Sequence, residues 1–398
     1  MLGYRKRYFD LAHTTLQRLR ADPEDLATLK EIQKLLLREV VRTEKKIREH
    51  KAELKTSKGT ADSTAAKRSA YLGKRIEGFR QCAYIWRCFG DAIAFLYMDK
   101  FALKHCFYST ENTSAKYDAG FILGKEGLGK ELQLLDSALE DNIPALLVDL
   151  TNTIRHGDVC LMGESDPLLI EVKSSKGLDS RGRKQRRSLE KLQTFYDTDK
   201  GEGLRGFPQL RRQAYEMPER SYVDQINECI AQALKDGYAV RQPEHGLYYI
   251  VMTQEGLGLE QILDTLALKA PWAFFLNTPK SVRTWAPYLP FILTIEDKDH
   301  LWDFIRGNLH ILVLVESDAL CQIAIDKGCK AKIDLDDEDY PLHVEVPGGD
   351  RMAGISGHIL TRIGMEFVSP EWMVLCSIEG LRRLSEGLKA ESGAAPSP

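Results

Sequence analysis

Three charged residues lie on what is predicted to be one β-hairpin near the middle of this 398-residue chain. Asp158 opens the first apolar segment, and Glu171 and Lys173 end the second. The Gly-Glu-Ser-Asp-Pro stretch at 163–167 cannot continue a strand, so the two segments are expected to pair as antiparallel strands. Because side chains alternate along a strand, Glu171 and Lys173 share one face. The hairpin then brings Asp158 opposite Glu171 or Lys173, since a turn of this length does not fix the register.

Two carboxylates and an ammonium in one small volume predict a metal site. Asp and Glu that lie this close repel each other unless a cation sits between them. Hard oxygen ligands with water in the remaining positions suit Mg²⁺ or Mn²⁺. Lys173 adds a point charge that can orient a water molecule or stabilise a developing oxyanion. The residue types therefore favour metal-assisted hydrolysis.

The order Asp, then Glu-x-Lys on the next strand, resembles the PD-(D/E)XK nuclease superfamily. Asp158 matches the first acid and Glu171-Val172-Lys173 the (D/E)XK element, although Gly157 and not Pro precedes Asp158. The resemblance implies an α/β, restriction-endonuclease-like mixed sheet flanked by helices. It also implies that Asp158, Glu171 and the Val172 carbonyl hold Mg²⁺ (or Mn²⁺), and that Lys173 positions or activates the attacking water. DNA would be cleaved to a 3′-hydroxyl and a 5′-phosphate.

Context distinguishes this Glu-x-Lys from three others that occur in a charged segment at 44–55. Among these four, only the fourth ends an apolar strand and is followed by a Ser pair and a basic segment. The alternative is an edge hairpin whose charges face solvent.

The basic segment after the hairpin predicts contact with the phosphates of a nucleic acid, because only Asp179 and Glu190 balance its charges. Taken alone, it fits a solvated helix face equally well. Gln193 and Tyr196 form a Gln-x-x-Tyr arrangement similar to that of several exonuclease-like members of the superfamily. The residues expected to bind nucleic acid are Lys176, Arg181, Arg183, Lys184, Arg186, Arg187 and Gln193.

Two further acids are candidates for the metal site, because relatives sometimes supply one from a helix that precedes the core strands. They are Asp91 and Glu131. Acids on helices are usually solvated, so neither is expected to be a ligand without further evidence.

The segment Gly124–Lys130 fits the GxxxxGK part of a phosphate-binding loop. Its next residue is Glu131, where such a loop needs Ser or Thr, and a carboxylate would face the phosphates. A Gly-rich turn into a helix is therefore favoured, and an NTP-binding switch is a minor alternative.

Composition sets wider bounds on the class of protein. With 43% hydrophobic residues and no apolar run near the ~20 residues that cross a bilayer, the chain is expected to be a cytoplasmic protein without a membrane partner. A formal net charge of −3 excludes binding of nucleic acid through bulk positive charge. Eight Cys without a CxxC motif are expected to be reduced, mostly buried thiols.

We expect four segments in a chain of this length. Residues 1–66 read as an N-terminal helical arm and linker, with Asp22 as a helix cap and a Leu-rich seam interrupted by Gln33, Thr43 and His50. The seam suggests a homodimer, or equally a helix packed on its own domain. The nuclease domain is expected at 67–260, completed by a strand near 247–252, a C-terminal α/β accessory domain at 261–390, and a disordered tail at 391–398.

These observations together predict a metal-dependent deoxyribonuclease, with a role in restriction, antiviral defence or DNA repair. An unidentified activating partner is compatible with this prediction. The alternative is a non-catalytic nucleic-acid-binding or scaffold protein that keeps a nuclease-like fold.

Overall fold

The computed structural model describes residues 4–57, 63–115, 119–172, 180–254, 258–266, 268, 271–334, 336–337, 339–347 and 352–393. The chain divides into two compact units, Met1–Arg212 with Ser281–Leu293, and Gln213–Lys280 with Thr294–Pro398. Each combines helices with antiparallel sheets, so the general α/β class is confirmed. The mixed sheet that the resemblance implied is not found among the described strands, which pair only in antiparallel fashion.

Up to Arg212, the first unit holds six helices and two small sheets among its described residues. The helices are α1 (Lys6–Ala21), α2 (Leu26–Ser57), α3 (Ser63–Tyr97), α4 (Lys100–Phe107), α5 (Leu128–Glu140) and α6 (Ser180–Thr198). The strands are β1 (Ala145–Leu147), β2 (Val159–Leu161), β3 (Leu168–Ile170), β4 (Lys200–Glu202) and β5 (Gln209–Arg211), with 3₁₀ turns at Val148–Leu150 and Leu204–Gly206.

The long helix α2 packs against its own unit through its apolar seam. Leu29, Leu36 and Val40 are fully buried. The seam is therefore not exposed for a homodimer, and the alternative interpretation of a helix packed on its own domain is confirmed. Gln33, which interrupts the heptads, is also buried and bonds the Ala145 carbonyl at 2.9 Å and the Leu147 amide at 3.0 Å. It ties α2 to β1.

The start of α2 differs from the prediction that Asp22 caps it. Asp25 is the cap, because its carboxylate accepts from the Thr28 amide at 3.0 Å and its carbonyl from the Leu29 amide at 3.1 Å. Asp22 instead ends α1 and lies in the turn between the helices, where it accepts from the Glu24 amide at 3.3 Å. The linker predicted to end at residue 66 falls partly on residues 58–62, outside the described part.

The remaining elements are seven strands and eight helices. They are α7 (Val223–Asp236), β6 (Tyr238–Glu244), β7 (Leu247–Thr253), α8 (Leu259–Leu266), β8 (Pro271–Phe275), α9 (Asn277–Val282), α10 (Phe291–Thr294), α11 (Lys298–Arg306), β9 (Leu309–Glu316), α12 (Ser317–Asp326), β10 (Lys330–Ile333), β11 (Leu342–Glu345), β12 (Ala353–Ile355), α13 (Gly357–Met365) and α14 (Pro370–Gly393). Residues 394–398, in the predicted disordered tail, lie outside the described chain.

The apolar strand β7 does not complete the sheet that carries the candidate site. It lies between β6 and β9 in a four-stranded antiparallel sheet of the second unit, in the order β6-β7-β9-β8. A central strand of seven residues needs long partners on both sides, and β6 and β9 have seven and eight residues whereas β1, β2 and β3 have three each. The compact units accordingly divide after Arg212 and not near residue 260.

Two predictions from composition can be compared with the fold. The eight Cys are free thiols, seven of them buried, as expected. In the part of the chain that the structure describes, no helix is long and apolar enough to cross a bilayer.

Candidate functional site

One edge of the sheet β1-β2-β3 gathers the acidic residues of the candidate site. The register pairs Leu147 with Val159 and Val159 with Ile170, so β1 ends, β2 begins and β3 ends at the same edge. Asp158 directly precedes β2 and Glu171 directly follows β3, so the same register places them opposite each other. The hairpin prediction is thus confirmed, with Asp158 across from Glu171.

The Asp158 carboxylate is held by its neighbours in the sheet. The backbone amide of Asp158 donates to the Ile170 carbonyl at 2.8 Å, and the backbone carbonyl of Asp158 accepts from the Val148 amide at 2.9 Å. Its Oδ2 accepts from the Val172 amide at 2.8 Å. With 13% of its side chain exposed, Asp158 is fixed in direction and largely withdrawn from water.

Gly157 accounts for the departure from the Pro-Asp pattern. Its φ is +78°, in the left-handed region, which Pro cannot adopt because its ring holds φ near −65°. A Cβ at this position would also lie 3.1 Å from the Ile170 carbonyl oxygen. Gly at residue 157 therefore lets the chain turn into β2 close against β3.

Three carboxylates converge on the ammonium of Lys125. Its Nζ lies 2.8 Å from Asp158 Oδ1, 2.8 Å from Asp149 Oδ2 and 3.0 Å from Glu131 Oε1. Asp149 comes from the 3₁₀ turn after β1, Glu131 from the first turn of α5, and Lys125 from the loop before α5. We call these four residues the acid cluster.

Glu131 is the most buried member of the acid cluster, with 1% of its side chain exposed. Its Oε1 bonds Lys125, while its Oε2 is buried without a hydrogen-bond partner in the described structure. A Cβ on Gly127 would lie 2.9 Å from Oε1, so a glycine there leaves room for this carboxylate. An orphaned, buried carboxylate oxygen is costly unless a further partner binds it.

A second ionic network holds the loop that carries Lys125. Arg87 donates from Nε to the Asp149 carbonyl at 3.0 Å, and from Nη2 to the Gly120 carbonyl at 3.0 Å and to Glu44 at 2.7 Å. Glu44 in turn accepts from the Leu123 amide at 2.8 Å. Both side chains are buried, so α2 and α3 hold Asp149 and the loop in place together.

The acid cluster carries more negative than positive charge. Three carboxylates against one ammonium give a formal charge of −2. Burial, and also the nearby charges of Asp158 and Asp149, raise the pKa of Glu131, although the hydrogen bond from Lys125 opposes this. Partial burial alone would lower the pKa of Lys125, but its hydrogen bonds to Asp149, Asp158 and Glu131 raise it above its ordinary value. Lys125 is therefore a firmly held cation that balances only part of the carboxylate charge.

The donor set fits a divalent cation in its chemistry. Carboxylate oxygens from Asp158, Asp149 and Glu131 point at one position, where they would present a formal charge of −3 to an ion that replaced the ammonium, and one Glu131 oxygen has no other described partner. Lys125 holds that position here, and among the described residues no three His, Cys, Asp or Glu side chains stand in metal-binding geometry. Metal binding would thus require the Lys125 ammonium to move away from the three carboxylates.

The other predicted catalytic residues are placed as follows. Glu171 is half-buried at the sheet edge, and Val172 is engaged through its amide on Asp158. Lys173 and Lys176 lie outside the described residues.

The predicted nucleic-acid-binding residues that are described lie on α6, which packs against β3. The side chains of Arg183, Lys184, Arg186 and Arg187 are exposed, and the Arg181 side chain lies outside the description. Lys184 pairs with Glu111 at 3.0 Å and Arg186 with Glu190 at 2.9 Å.

The two residues of the Gln-x-x-Tyr arrangement, Gln193 and Tyr196, make different contacts. Gln193 bonds Asp197 one turn along the helix at 2.8 Å. Tyr196 is buried and donates to the Ala102 carbonyl at 3.0 Å, so it packs α6 against α4.

Of the two further acids, Glu131 joins the acid cluster and Asp91 does not. Asp91 is buried and accepts from the amides of Asn152 and Thr153, both at 2.7 Å, and from the Asn152 side chain at 2.8 Å. Burial raises the pKa of Asp91. This carboxylate shapes the loop at 151–153, and its contacts give no support to it as a further acid of the site.

The glycine-rich segment Gly124–Lys130 is a turn into α5, as the plainer interpretation expected. No strand precedes it in the described range 119–123. Its Lys125 faces three carboxylates, an environment that repels phosphate.

Sequence reasoning did not assign Lys125 and Asp149 to the site. A signal for Asp149 is present, because it follows the apolar run at 145–148 as Glu171 follows the run at 168–170. Lys125 offers no such signal, since its position depends on the loop held by Arg87 and Glu44.

Comparison with protein-family models, with curated proteins and with solved structures gives no match for this chain.

Proposed function

We propose that this protein is a metal-dependent nuclease that hydrolyses phosphodiester bonds in DNA. The observation that carries the proposal is the convergence of three carboxylates on one cation position at the edge of the β2–β3 hairpin, with Glu171 opposite Asp158. The exposed basic side chains of α6, which follows β3, add a surface for the phosphate backbone.

In this proposal Asp158 and Glu171 hold Mg²⁺ or Mn²⁺, with the Val172 carbonyl completing the set. Asp149 and Glu131 add oxygens from the other side of the acid cluster. When bound, the ion supplies Lewis acidity and a bound water of lowered pKa. The Val172 amide keeps Asp158 pointed at the position, and Gly157 keeps it close to β3. Lys173 orients the attacking water, and the α6 cations hold the DNA strand.

One observation favours the alternative, a non-catalytic nucleic-acid-binding or scaffold protein. Lys125 already bonds all three carboxylates of the acid cluster. An internal ammonium that permanently replaced the ion would keep the fold and abolish metal-dependent chemistry. The two functions differ in their metal requirement.

A cleavage assay tests the proposal. Purified wild type, Asp158→Ala, Lys173→Ala and Lys30→Ala would be incubated with plasmid, linear duplex and single-stranded DNA, in Mg²⁺, in Mn²⁺ and in EDTA. Lys30 pairs with Asp136 at 2.7 Å, outside the acid cluster, so its variant controls for the loss of one lysine. We expect cleavage that needs metal, is abolished in Asp158→Ala and Lys173→Ala, and persists in Lys30→Ala.

Cleavage retained by either Asp158→Ala or Lys173→Ala would refute the assigned site. Wild type that binds DNA without cleaving it in either metal would favour the non-catalytic alternative.

A further inference from the structure

A polar cavity of about 420 Å³ lies in the first unit, apart from the acid cluster. Its walls include Lys51 of α2, Arg80 and Arg87 of α3, and Arg283. Its volume is in the ordinary range for pockets that bind small molecules.

The cavity wall has an excess of positive charge. Glu44 is the acid among its lining residues, and Glu44 is already bonded by Arg87 and by the Leu123 amide. Four cations against one carboxylate give a formal charge of +3.

The guanidiniums of Arg80 and Arg283 have to share one carboxylate. Arg80 lies 3.3 Å from Glu77 Oε2, and Arg283 bonds Glu77 Oε1. Glu77 does not line the cavity. Even if Glu77 is counted with the wall, the formal charge remains +2, so a bound anion would complete the charge balance.

The cavity is built on fixed groups. Arg87 is 7% exposed and holds Glu44, the Gly120 carbonyl and the Asp149 carbonyl. Tyr84, another lining residue, is buried and accepts at its hydroxyl from the Trp285 amide at 3.3 Å. Arg87 and Tyr84 would therefore need no ordering when a ligand binds, which removes their share of the entropic cost of binding.

We propose that this cavity binds a small phosphate-bearing ligand, of the class of pyrophosphate or a nucleotide. Arg80 and Arg283 grip the phosphate oxygens, because guanidinium groups match phosphate geometry and form charge-assisted hydrogen bonds. Lys51 adds a flexible charge at the rim, where it also lies 5.6 Å from the Phe121 ring. The site does not depend on the proposed nuclease chemistry.

Calorimetric titration of the full chain in EDTA tests this proposal. Pyrophosphate, ATP, adenosine and a short single-stranded oligonucleotide would be titrated into wild type, Arg80→Gln/Arg283→Gln and Lys51→Gln. Lys34→Gln, an exposed lysine of the same helix α2 outside the cavity wall, is the matched control for Lys51→Gln. Thermal unfolding of each variant verifies that it is folded, and Lys51→Gln removes no ion pair known in the described chain.

We expect wild type to bind pyrophosphate and ATP but not adenosine. The double variant should bind pyrophosphate and ATP at least about tenfold more weakly than wild type does. Lys51→Gln should weaken binding more than Lys34→Gln does. No binding of pyrophosphate or ATP by wild type, or equal binding by wild type and the folded double variant, would overturn the proposal. Binding of the oligonucleotide alone would overturn it too, because the cavity would then belong to a nucleic-acid path.

Discussion

At the scale of single residues, Lys125 decides how the acid cluster behaves without metal. Its ammonium lies within 3.0 Å of three carboxylates, where like charges would otherwise destabilise the fold. A lysine is well suited to this because its flexible chain and compact charge can withdraw, whereas a fixed guanidinium could not as easily. The ammonium therefore stabilises the cluster as the structure shows it, and under the proposed function it would compete with a metal ion.

Glu131 makes the stability of the first unit depend on pH. Burial raises its pKa above the ordinary value of 4.5, so the folded protein binds this proton more tightly than the unfolded chain does. The stabilising contribution is present below 4.5 and is lost as the pH rises through the raised pKa. We expect the wild type to lose thermal stability relative to Glu131→Gln as the pH increases upward from 4.5, measured by calorimetric unfolding at a series of pH values.

Glu140→Gln on the same helix is the matched control, because Glu140 is exposed. Its unfolding temperature should follow that of the wild type across the series. If Glu131→Gln also followed the wild type at every pH, the burial of an ionising Glu131 would be refuted.

At the scale of elements, the sheet edge assembles the site and the helices hold it. β1, β2 and β3 each contribute a chain end at one edge, which brings together acids separated by up to 22 positions in sequence, from Asp149 to Glu171. The buried Gln33 fixes β1 to α2, and Arg87 fixes the turn that carries Asp149 to α3. Loss of either contact should disturb the site without touching a carboxylate.

Helix α6 presents a basic stripe at Arg183, Arg187 and Lys191, which are exposed and spaced four residues apart. Arg187 and Lys191 have no ion pair among the described residues, so they are the cations best placed to bind phosphate. Each phosphate neutralised contributes about −0.9 to the slope of log affinity against log salt for duplex DNA. We expect Arg187→Gln/Lys191→Gln to bind duplex DNA more weakly and to lower the magnitude of that slope by up to about 1.8, measured by fluorescence anisotropy.

Arg186→Gln is the control for this surface, because Arg186 already pairs with Glu190. Its slope should change less than that of the double variant. An unchanged slope in the double variant would show that the stripe does not contact DNA.

At the scale of the whole molecule, the net charge of −3 does not indicate which ligands the protein can bind, because its positive and negative charges lie on different surfaces. The acid cluster is negative, while the wall of the polar cavity lined by Arg80 and Arg283 and the basic stripe on α6 are positive. A protein of nearly balanced total charge can therefore present separate sites for a cation, for a phosphate ligand and for a nucleic acid.

The hairpin was predictable from sequence because its information is local. Two short apolar segments, a turn at 163–167 and the positions of Asp158 and Glu171 are read within 14 residues. The burial of the α2 seam was foreseeable only as one of two alternatives, because a heptad pattern does not say which surface covers it.

The position of Lys125, the pairing of β7 and the boundary between the units could not be predicted, because they depend on contacts between residues distant in sequence. The partners of Lys125 are 6, 24 and 33 positions away, and the pairing of β7 with β9 joins residues about 60 apart. The boundary between units follows from that pairing, and composition shifts along the chain do not reveal it.

The most direct measurement for the central claim is a calorimetric titration of the full chain with Mn²⁺ and with Mg²⁺. Wild type, Asp158→Asn, Lys125→Met and Asp136→Asn would be compared, the last because Asp136 is on α5 but pairs with Lys30 outside the acid cluster. We predict one divalent ion bound by wild type and by Asp136→Asn, tighter binding by Lys125→Met because the competing ammonium is gone, and loss of binding in Asp158→Asn. Absence of binding in both wild type and Lys125→Met, or unchanged binding in Asp158→Asn, would contradict a metal site at these carboxylates.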